Sequence, residues 1–322
     1  MSNQAPLAVK HWSVPGEVRP IRLDAFARRC LPHLSRRQLQ DAIRAKLFFI
    51  NGRIGKKGDR LKAGDALTFH GPDHWLRDAP IPDAQLQLNI VYEDESLLAL
   101  DKPAGMPTHG FSARDQNTLA NSLVARQPAI AAVGKSRWEP GLVHRLDRET
   151  SGLVLVAKTR AAFAHVRRQF RRRQVKKKYW ALVWGSPNPE GAVFYPMAHD
   201  SSDKGRMRAL LTFSSPKKKP KAWTARTRFR KLGEAHGLSL LEVEMETGVT
   251  HQIRVHLAAI GHPIVGDGRY GAARLERFGL ERHFLHAFYL EFSHPRDGRP
   301  VKIEIKLPAD LEAVLGRLGM RI

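Results

Sequence analysis

Apolar and polar positions alternate with a period that changes along the chain. Leu23, Phe26, Ala27 and Cys30 recur at i, i+3, i+4 and i+7, the spacing of a helix with one buried face. Pro32 lies just beyond its end. A second helix starts at Ser35, where Gln38 three residues on completes a capping box, and it buries Leu39, Ala42 and Ile43. Leu47 to Ile50 reads as a strand ended by Asn51-Gly52, a pair that tolerates the positive φ of a tight hairpin. Gly64-Asp65 leads into a further strand, Ala66 to Phe69. Pro72, Pro80 and Pro82 then interrupt a stretch without periodicity.

Beyond it the apolar segments lengthen. Leu88 to Tyr92 and Ser96 to Asp101 flank the acidic turn Glu93-Asp94-Glu95. Asn117 or Thr118 can cap a short helix through Arg126. Leu153 to Ala157 is a continuous apolar strand. Thr159 caps a helix with Phe163, Val166 and Phe170 on one face. Lys178 to Gly185 is a strand rich in aromatic residues. Leu241, Val243 and Met245 alternate with Glu242, Glu244 and Glu246, the mark of a half-buried strand. A helix from His251 to Ile260 buries Ile253, Leu257 and Ile260. Phe284 to Phe292 and Val301 to Leu307 are strands joined through Asp297-Gly298, and Asp310 caps a closing helix. Hairpins outnumber strand–helix–strand crossovers. The pattern therefore predicts an α+β protein whose larger domain is a largely antiparallel mixed sheet with flanking helices. Its boundaries are a tail at 1–19, a small α+β domain at 20–71, a linker at 72–85 and the large domain at 86–322. The polar, basic stretch from Asp200 to Lys221 predicts a mobile loop that orders on its partner.

Charge changes this picture most. The 322 residues carry 54 Lys and Arg against 31 Asp and Glu, a net charge of +23. Such a field opposes compaction and calls for a polyanion. No apolar run approaches the ~18 residues of a membrane span, and the N-terminus lacks an apolar signal-type segment. The single cysteine, Cys30, precludes an internal disulfide. The expectation is a cytoplasmic monomer that binds RNA and does not associate with membranes. The basic residues fall in two places. Arg36, Arg37, Lys56 and Lys57 stud the small domain. Eight cations crowd the twelve residues from Arg167 to Lys178, including Arg171, Arg172, Lys176 and Lys178. That exceeds what the dipole of a helix C-terminus can use and predicts a phosphate-contacting surface.

Two apparent cofactor signals fail on context. Gly266-Asp267-Gly268-Arg269-Tyr270-Gly271 has the letters of a dinucleotide fingerprint, but no strand–turn–helix unit surrounds it. His251 and His256 are five residues apart, not the four that place two imidazoles on one helical face. No metal and no nucleotide cofactor are expected.

One stretch is explained neither by folding nor by bulk charge: His144-Arg145-Leu146-Asp147-Arg148-Glu149-Thr150-Ser151-Gly152. A structural ion pair would account for a carboxylate among arginines. A protein that merely bound RNA would gain nothing from an acid in its cleft, because the acid would repel phosphate. A general base or nucleophile would use it in charged form, which a neighbouring guanidinium favours. Arg145, Arg148 and the more remote Arg254 are the available partners.

This stretch, with Lys178-Tyr179, Thr250-His251-Gln252-Ile253-Arg254-Val255-His256-Leu257, Gly261-His262-Pro263-Ile264-Val265-Gly266-Asp267 and Leu285-His286-Ala287, resembles the RluA-type pseudouridine synthases across the large domain. Arg22-Leu23-Asp24, Ser35-Arg36-Arg37-Gln38-Leu39, Asn51-Gly52 and Lys62-Ala63-Gly64-Asp65 resemble a small RNA-binding domain first described in a small-subunit ribosomal protein. That domain often precedes the synthases. Three positions depart from these patterns: Lys46 and Val249 stand where glycine and arginine are usual, and Asp101 where asparagine is common. The resemblance implies cofactor-free isomerisation of uridine in RNA. The glycosidic bond breaks, the uracil turns, and carbon 5 is joined to the ribose. It implies Asp147 as nucleophile toward ribose or base, with Arg254 as its ion-pair partner. Tyr179 would stack on the flipped base and is a candidate to take the proton from carbon 5. Ile253 would pack on the ring's other side, and Arg145 would fill the gap the uridine leaves. His144 and the basic residues named above complete the expected substrate-binding set. Large-subunit ribosomal RNA is the expected substrate, with transfer RNA as the alternative. A non-catalytic ribosome-assembly factor is the reading from a different class.

Overall fold

The local signals of the small domain fold much as read. In the computed structural model, which describes residues 7–16, 19–112, 115–203, 205–211, 221–271 and 278–322, the chain forms two units. They comprise Met1–Ile81 with Gly110–Gln116, and Pro82–His109 with Asn117–Ile322.

The first unit contains, in order, β1 (Leu7–Ser13), β2 (Ile21–Arg22), α1 (Leu23–Cys30), α2 (Arg36–Arg44), β3 (Phe48–Ile50), β4 (Arg53–Ile54), β5 (Arg60–Leu61) and β6 (Ala66–Pro72). Ser35 and Gln38 make the capping box of α2. Asn51 and Gly52 turn β3 into β4 with φ of 50° and 82°. Leu23, Phe26, Leu39, Ile43, Phe48 and Phe69 form the core. Lys46 adopts φ 58°, the left-handed conformation that the usual glycine would take without strain. Two stretches differ from expectation. The residues read as a tail supply β1, which pairs antiparallel with β6 from Ala8↔Gly71 to Ser13↔Ala66. The residues read as linker begin inside β6 and continue to Trp75, which is buried in the same core. Both follow from non-local pairing. Seven residues of weak alternation become a strand because the edge of β6 offers a complete row of backbone partners.

The second unit contains β7 (Ile90–Glu93), β8 (Leu97–Lys102), α3 (Leu119–Arg126), β9 (Ser151–Ala157), α4 (Arg160–Arg171), β10 (Lys176–Trp184), β11 (Glu190–Val193), β12 (Met197–His199), β13 (Met207–Ala209), β14 (Ala222–Trp223), β15 (Thr227–Ala235), β16 (Leu238–Met245), α5 (Gln252–Ala259), β17 (Leu285–Ser293), β18 (Pro300–Glu304) and α6 (Ala309–Arg317). A nine-stranded sheet runs β11-β15-β16-β10-β17-β9-β8-β7, with β18 also on β17. Its described pairings are antiparallel except β9 with β17. The expected α+β, largely antiparallel mixed sheet is what forms. β9 is buried along its whole length, which is why Leu153 to Ala157 is an unbroken apolar run.

The capping expected of Thr159 is present, its hydroxyl accepting from the Ala162 amide at 3.1 Å. Thr118 rather than Asn117 caps α3. Asp310 does not cap α6: Pro308 holds that position. The carboxylate lies inside the first turn, where the Arg282 guanidinium donates to it at 2.7 and 3.0 Å. Part of the expected mobile loop is strand, since β13 pairs with β12 in a small three-stranded sheet with β14. Residues 212–220, including the lysine run at 217–219, lie outside the described residues. Among the described residues no helix is long and apolar enough to cross a membrane.

Candidate active site

The loop that carries Asp147 is tied down on both sides. Before it, the Val143 amide donates to Leu155 O, and the Leu155 amide donates to His144 Nε2 at 2.9 Å. After it, the chain re-enters the sheet as β9. Thr108 Oγ1 donates to Leu146 O at 2.8 Å and accepts from the Leu146 amide at 3.2 Å. Lys102, with 0% of its surface exposed, donates to the carbonyls of Pro103, Met106 and Arg148 at 2.7, 2.8 and 3.1 Å. Burial pushes this ammonium down to about 7. It satisfies three backbone acceptors that would otherwise be stranded away from water.

The adjacent arginines turn elsewhere. Arg148 Nε donates to Gly105 O at 2.8 Å. Arg145 is exposed, with Nη1 3.3 Å from His109 Nε2. Asp147 Oδ2 instead receives Nη1 of Arg254, on α5, at 3.0 Å. The other edge of that guanidinium meets Asp267 in a two-point pair, Nε to Oδ2 at 2.7 Å and Nη2 to Oδ1 at 2.9 Å. The Asp267 side chain is fully buried, and its Oδ1 also accepts the amides of Arg269 and Tyr270. Burial alone would lower Arg254 and raise Asp267. Their mutual hydrogen bonds and charge outweigh it, so the arginine is raised and the aspartate lowered. The bidentate geometry fixes the plane of the guanidinium and turns Nη1 toward Asp147.

The glycine-rich hexapeptide thus has a structural use. Gly266 turns at φ 77°, and a Cβ there would lie 2.2 Å from Arg282 O. The turn aims Asp267 at Arg254 and places Tyr270 beneath the guanidinium, 5.1 Å from ring centroid to Cζ.

Tyr179 reaches the site through the sheet. It pairs with Val243 on β16 and, across a bulge, with Ala287 on β17. Ala287 also faces Gly152 of β9. A Cβ on Gly152 would lie 2.3 Å from Ala287 O, so the Ser151-Gly152 step is what lets the parallel pairing bring the Asp147 loop beside Tyr179. The phenol is 4% exposed, and burial, then the charge of Asp147, push its ionisation up. Ile253, 3% exposed, precedes Arg254 on α5. A pocket of about 90 Å³ is lined by Arg145, Asp147, Tyr179, His251, Ile253 and Arg254. Beside it a cleft of about 450 Å³ is lined by His144, Arg145, Arg167, Arg171, Lys177 and Tyr179 among others.

The structure therefore gathers Asp147, Tyr179, Ile253, Arg254 and Arg145 from sites spread over the sequence. It redirects two expected substrate contacts. His144 lines the cleft, but its Nε2 is occupied by the Leu155 amide and its ring stacks on Phe170 at 5.0 Å. Burial, helped by Lys177 and Arg167, holds it neutral at about 3. Lys178 lies one residue from Tyr179 on β10, hence on the opposite face, where it pairs with Glu242 at 3.0 Å. Lys176 shares that parity and is exposed, whereas Lys177 is buried on the cleft side and donates to Thr247 O at 2.8 Å. Arg171 lines the cleft and Arg172 is exposed beside it. In the first unit Arg36, Arg37, Lys56 and Lys57 are exposed, and Arg36 lines a groove with Arg22, Arg28 and Arg29. Sequence reasoning missed Lys102, Thr108, His251, Asp267 and Tyr270 as site builders. Of these, Asp267 and His251 stood inside the motifs that carried the resemblance.

Comparison with known proteins gives the family. Residues 96–259 match the RNA pseudouridylate synthase family, and residues 21–67 match the S4 domain. An uncharacterized RNA pseudouridine synthase of Chloroflexus aurantiacus is 40% identical over 312 residues, covering 96% of this chain and 93% of that protein. The ribosomal large subunit pseudouridine synthase D of Zymomonas mobilis is 33% identical, covering 92% and 93%. The solved structure of human RNA pseudouridylate synthase domain containing 1 superposes with a TM-score of 0.57 at 27% identity, covering 72% of this chain and 89% of that one. The chain belongs to the RNA pseudouridine synthase family and is an isomerase of that class with an S4 domain in front of its catalytic domain.

Proposed function

We propose that this enzyme isomerises specific uridines of large-subunit ribosomal RNA, with Asp147 as nucleophile. The observation that carries the mechanism is the chain Asp267–Arg254–Asp147. A fully buried carboxylate aligns a guanidinium, and the guanidinium presents Nη1 to the only one of the two carboxylates that lines the small pocket. A uridine stacked in a helix cannot reach such a pocket. It is extruded at a cost of a few kcal/mol. Stacking on Tyr179 offsets about 1–3 kcal/mol of this, with Ile253 against the other face of the ring. Arg145, exposed at the mouth and shared by pocket and cleft, takes the vacated space.

In the reaction the bond from N1 to the ribose C1′ breaks and a bond from C5 to C1′ forms. The proton lost by C5 is balanced by the one gained at N1, so no oxidant or group donor is consumed. Asp147 carries the transient bond to ribose or base. Arg171, Arg172, Arg36, Arg37, Lys56 and Lys57 offer exposed cations to the backbone. Ribosomal RNA is favoured by the relatives of Zymomonas mobilis and Nitrosomonas europaea, both described as ribosomal large subunit pseudouridine synthase D.

The test is to map pseudouridines in cellular RNA with the wild-type chain and with Asp147→Ala. Specific sites in large-subunit RNA should vanish in the variant, while affinity for that RNA stays within a few-fold. Sites that vanish in transfer RNA instead would redirect the substrate. Residual turnover by the variant would remove the nucleophile role.

A further inference from the structure

Two buried lysines flank the site, and they are provided for differently. Lys102 gives its ammonium to three backbone carbonyls. Lys177, 5% exposed, donates to Thr247 O at 2.8 Å, and its Nζ lies 5.8 Å from the centroid of the Phe170 ring. Among the described residues that carbonyl is its one hydrogen-bond acceptor, and it forms no ion pair. An ammonium carries three N–H donors, and a buried charge ordinarily has a counter-charge. Burial pushes Lys177 down, to about 8, and no neighbouring carboxylate opposes the shift. The acids of the surrounding cleft are turned to other partners: Glu246 pairs with Arg228 at 2.7 Å, and Glu139 lies 3.4 Å from His109. Arg167, Arg171 and Arg173 line the same cleft and add charge of the same sign.

The ammonium also sits where a substrate has to pass. The cleft and the small pocket share Arg145, Tyr179, Met245 and Gly248. The backbone of a nucleotide whose base occupies the pocket crosses that shared rim. Gly248 is exposed there, and its φ lies outside the left-handed region, so its backbone does not call for glycine. Among the described residues a Cβ at Gly248 would have one close neighbour, Lys177 Nζ at 3.9 Å. The missing side chain leaves the ammonium open to the rim.

Resting on the reading that a uridine is extruded into the pocket, we propose that Lys177 holds the phosphodiester that joins this uridine to its neighbour in the RNA chain. A phosphate oxygen accepts from Nζ beside Gly248, while Thr247 O keeps its own bond. The phosphate supplies the counter-charge that the protein does not. Lysine suits this task as a compact point charge. An exposed arginine can meet any phosphate, whereas a buried ammonium behind the rim meets only the one that a flipped nucleotide draws in. The contact therefore offsets part of the cost of extrusion and sets the ribose against Asp147.

The experiment is single-turnover kinetics on a short RNA carrying a mapped uridine, with each nearby phosphodiester replaced in turn by a neutral methylphosphonate. Wild type and Lys177→Met are compared on every RNA. Replacing one of the linkages of the target uridine should slow the wild type by about 10- to 100-fold, the range of a charge-assisted hydrogen bond. Lys177→Met should be slower by the same factor on unmodified RNA and lose nothing more at that linkage. The other replacements should slow it as they slow the wild type, which also shows that it is folded. Gly248→Val keeps the charge but covers it, and should be equally blind to that linkage. A Lys177→Met variant as fast as wild type would overturn the proposal. Additive losses at every linkage would overturn it in favour of a lysine that merely props the Thr247 loop. Blindness to a linkage remote from the uridine would overturn the placement of the phosphate. A wild-type enzyme that isomerises no RNA would instead overturn the underlying functional reading.

Discussion

Arginine serves two different ends in the two units. Arg36 and Arg37 are exposed on a short helix whose boundaries are written locally by Ser35 and Gln38. Even the ion pairs of that unit, such as Arg22 with Asp24, leave the arginine half in water, with 51% of its side chain exposed. Arg254 is 8% exposed and joins carboxylates 107 residues before it and 13 after it. Exposed pairs are worth about 0–1 kcal/mol, so the cations of the small unit stay available for exchange with phosphate. A buried pair broken on one side costs about 3–5 kcal/mol, so Arg254 is not available for exchange and serves as a fixed part. The small unit's cations, proposed for binding, are left loose, and the cation proposed to serve chemistry is immobilised.

The sharpest way to break that contrast is at Arg254. Arg254→Ala strands Asp267 in the interior, so urea unfolding should show a loss of about 3–5 kcal/mol, with turnover nearly abolished. Arg254→Lys keeps the charge but lacks the planar fork, and should recover part of the stability and little of the rate. Full stability in Arg254→Ala would show that the Asp267 pair is no anchor.

Next in size is Lys102. Its folded value is lowered to about 7, so above that pH the unfolded chain, with an ordinary lysine, binds more protons than the folded one. Its contribution to stability therefore rises with pH, from about 7 up to the ordinary lysine value of about 10. Lys102→Met should flatten that rise, read as urea midpoints at pH 6.5, 8 and 9.5. It should also loosen the Asp147 loop and lower kcat more than RNA affinity. Parallel pH curves for the two proteins would refute the buried-ammonium account.

The smallest effect on chemistry should come from removing the first unit. We propose that its functional boundary lies after Ile81, not Gly71, because Trp75 belongs to its core. Deleting Met1 to Ile81 should weaken RNA binding and flatten its dependence on salt, while a short substrate still turns over. Total loss of turnover on that substrate would show that the two units share the chemistry.

The sequence by itself determined the elements whose causes are local. The capping box at Ser35, the Asn51-Gly52 turn, the apolar run of β9 and the alternation ending at Met245 each reappear as read. Charge and composition pointed to RNA, and motif order pointed to Asp147, Tyr179 and Arg254. What depended on pairing over distance was not legible. A weakly patterned terminus became β1 because β6 had an open edge. Asp310 turned from cap to ion-pair partner because Arg282 arrived beside it. One residue of strand parity sent Lys178 away from the cleft.

The tertiary structure alone decided which of three arginines meets Asp147. Adjacency favoured Arg145 and Arg148, but the loop, pinned by Lys102 and Thr108, points both elsewhere. It also decided that a glycine-rich turn orients Arg254 through Asp267 and that His251 faces Asp147. The reason is physical: local propensity is set by neighbours within a turn of helix or a pleat of strand. The partner of a buried charge is set by whichever groups the packed core leaves within hydrogen-bond reach.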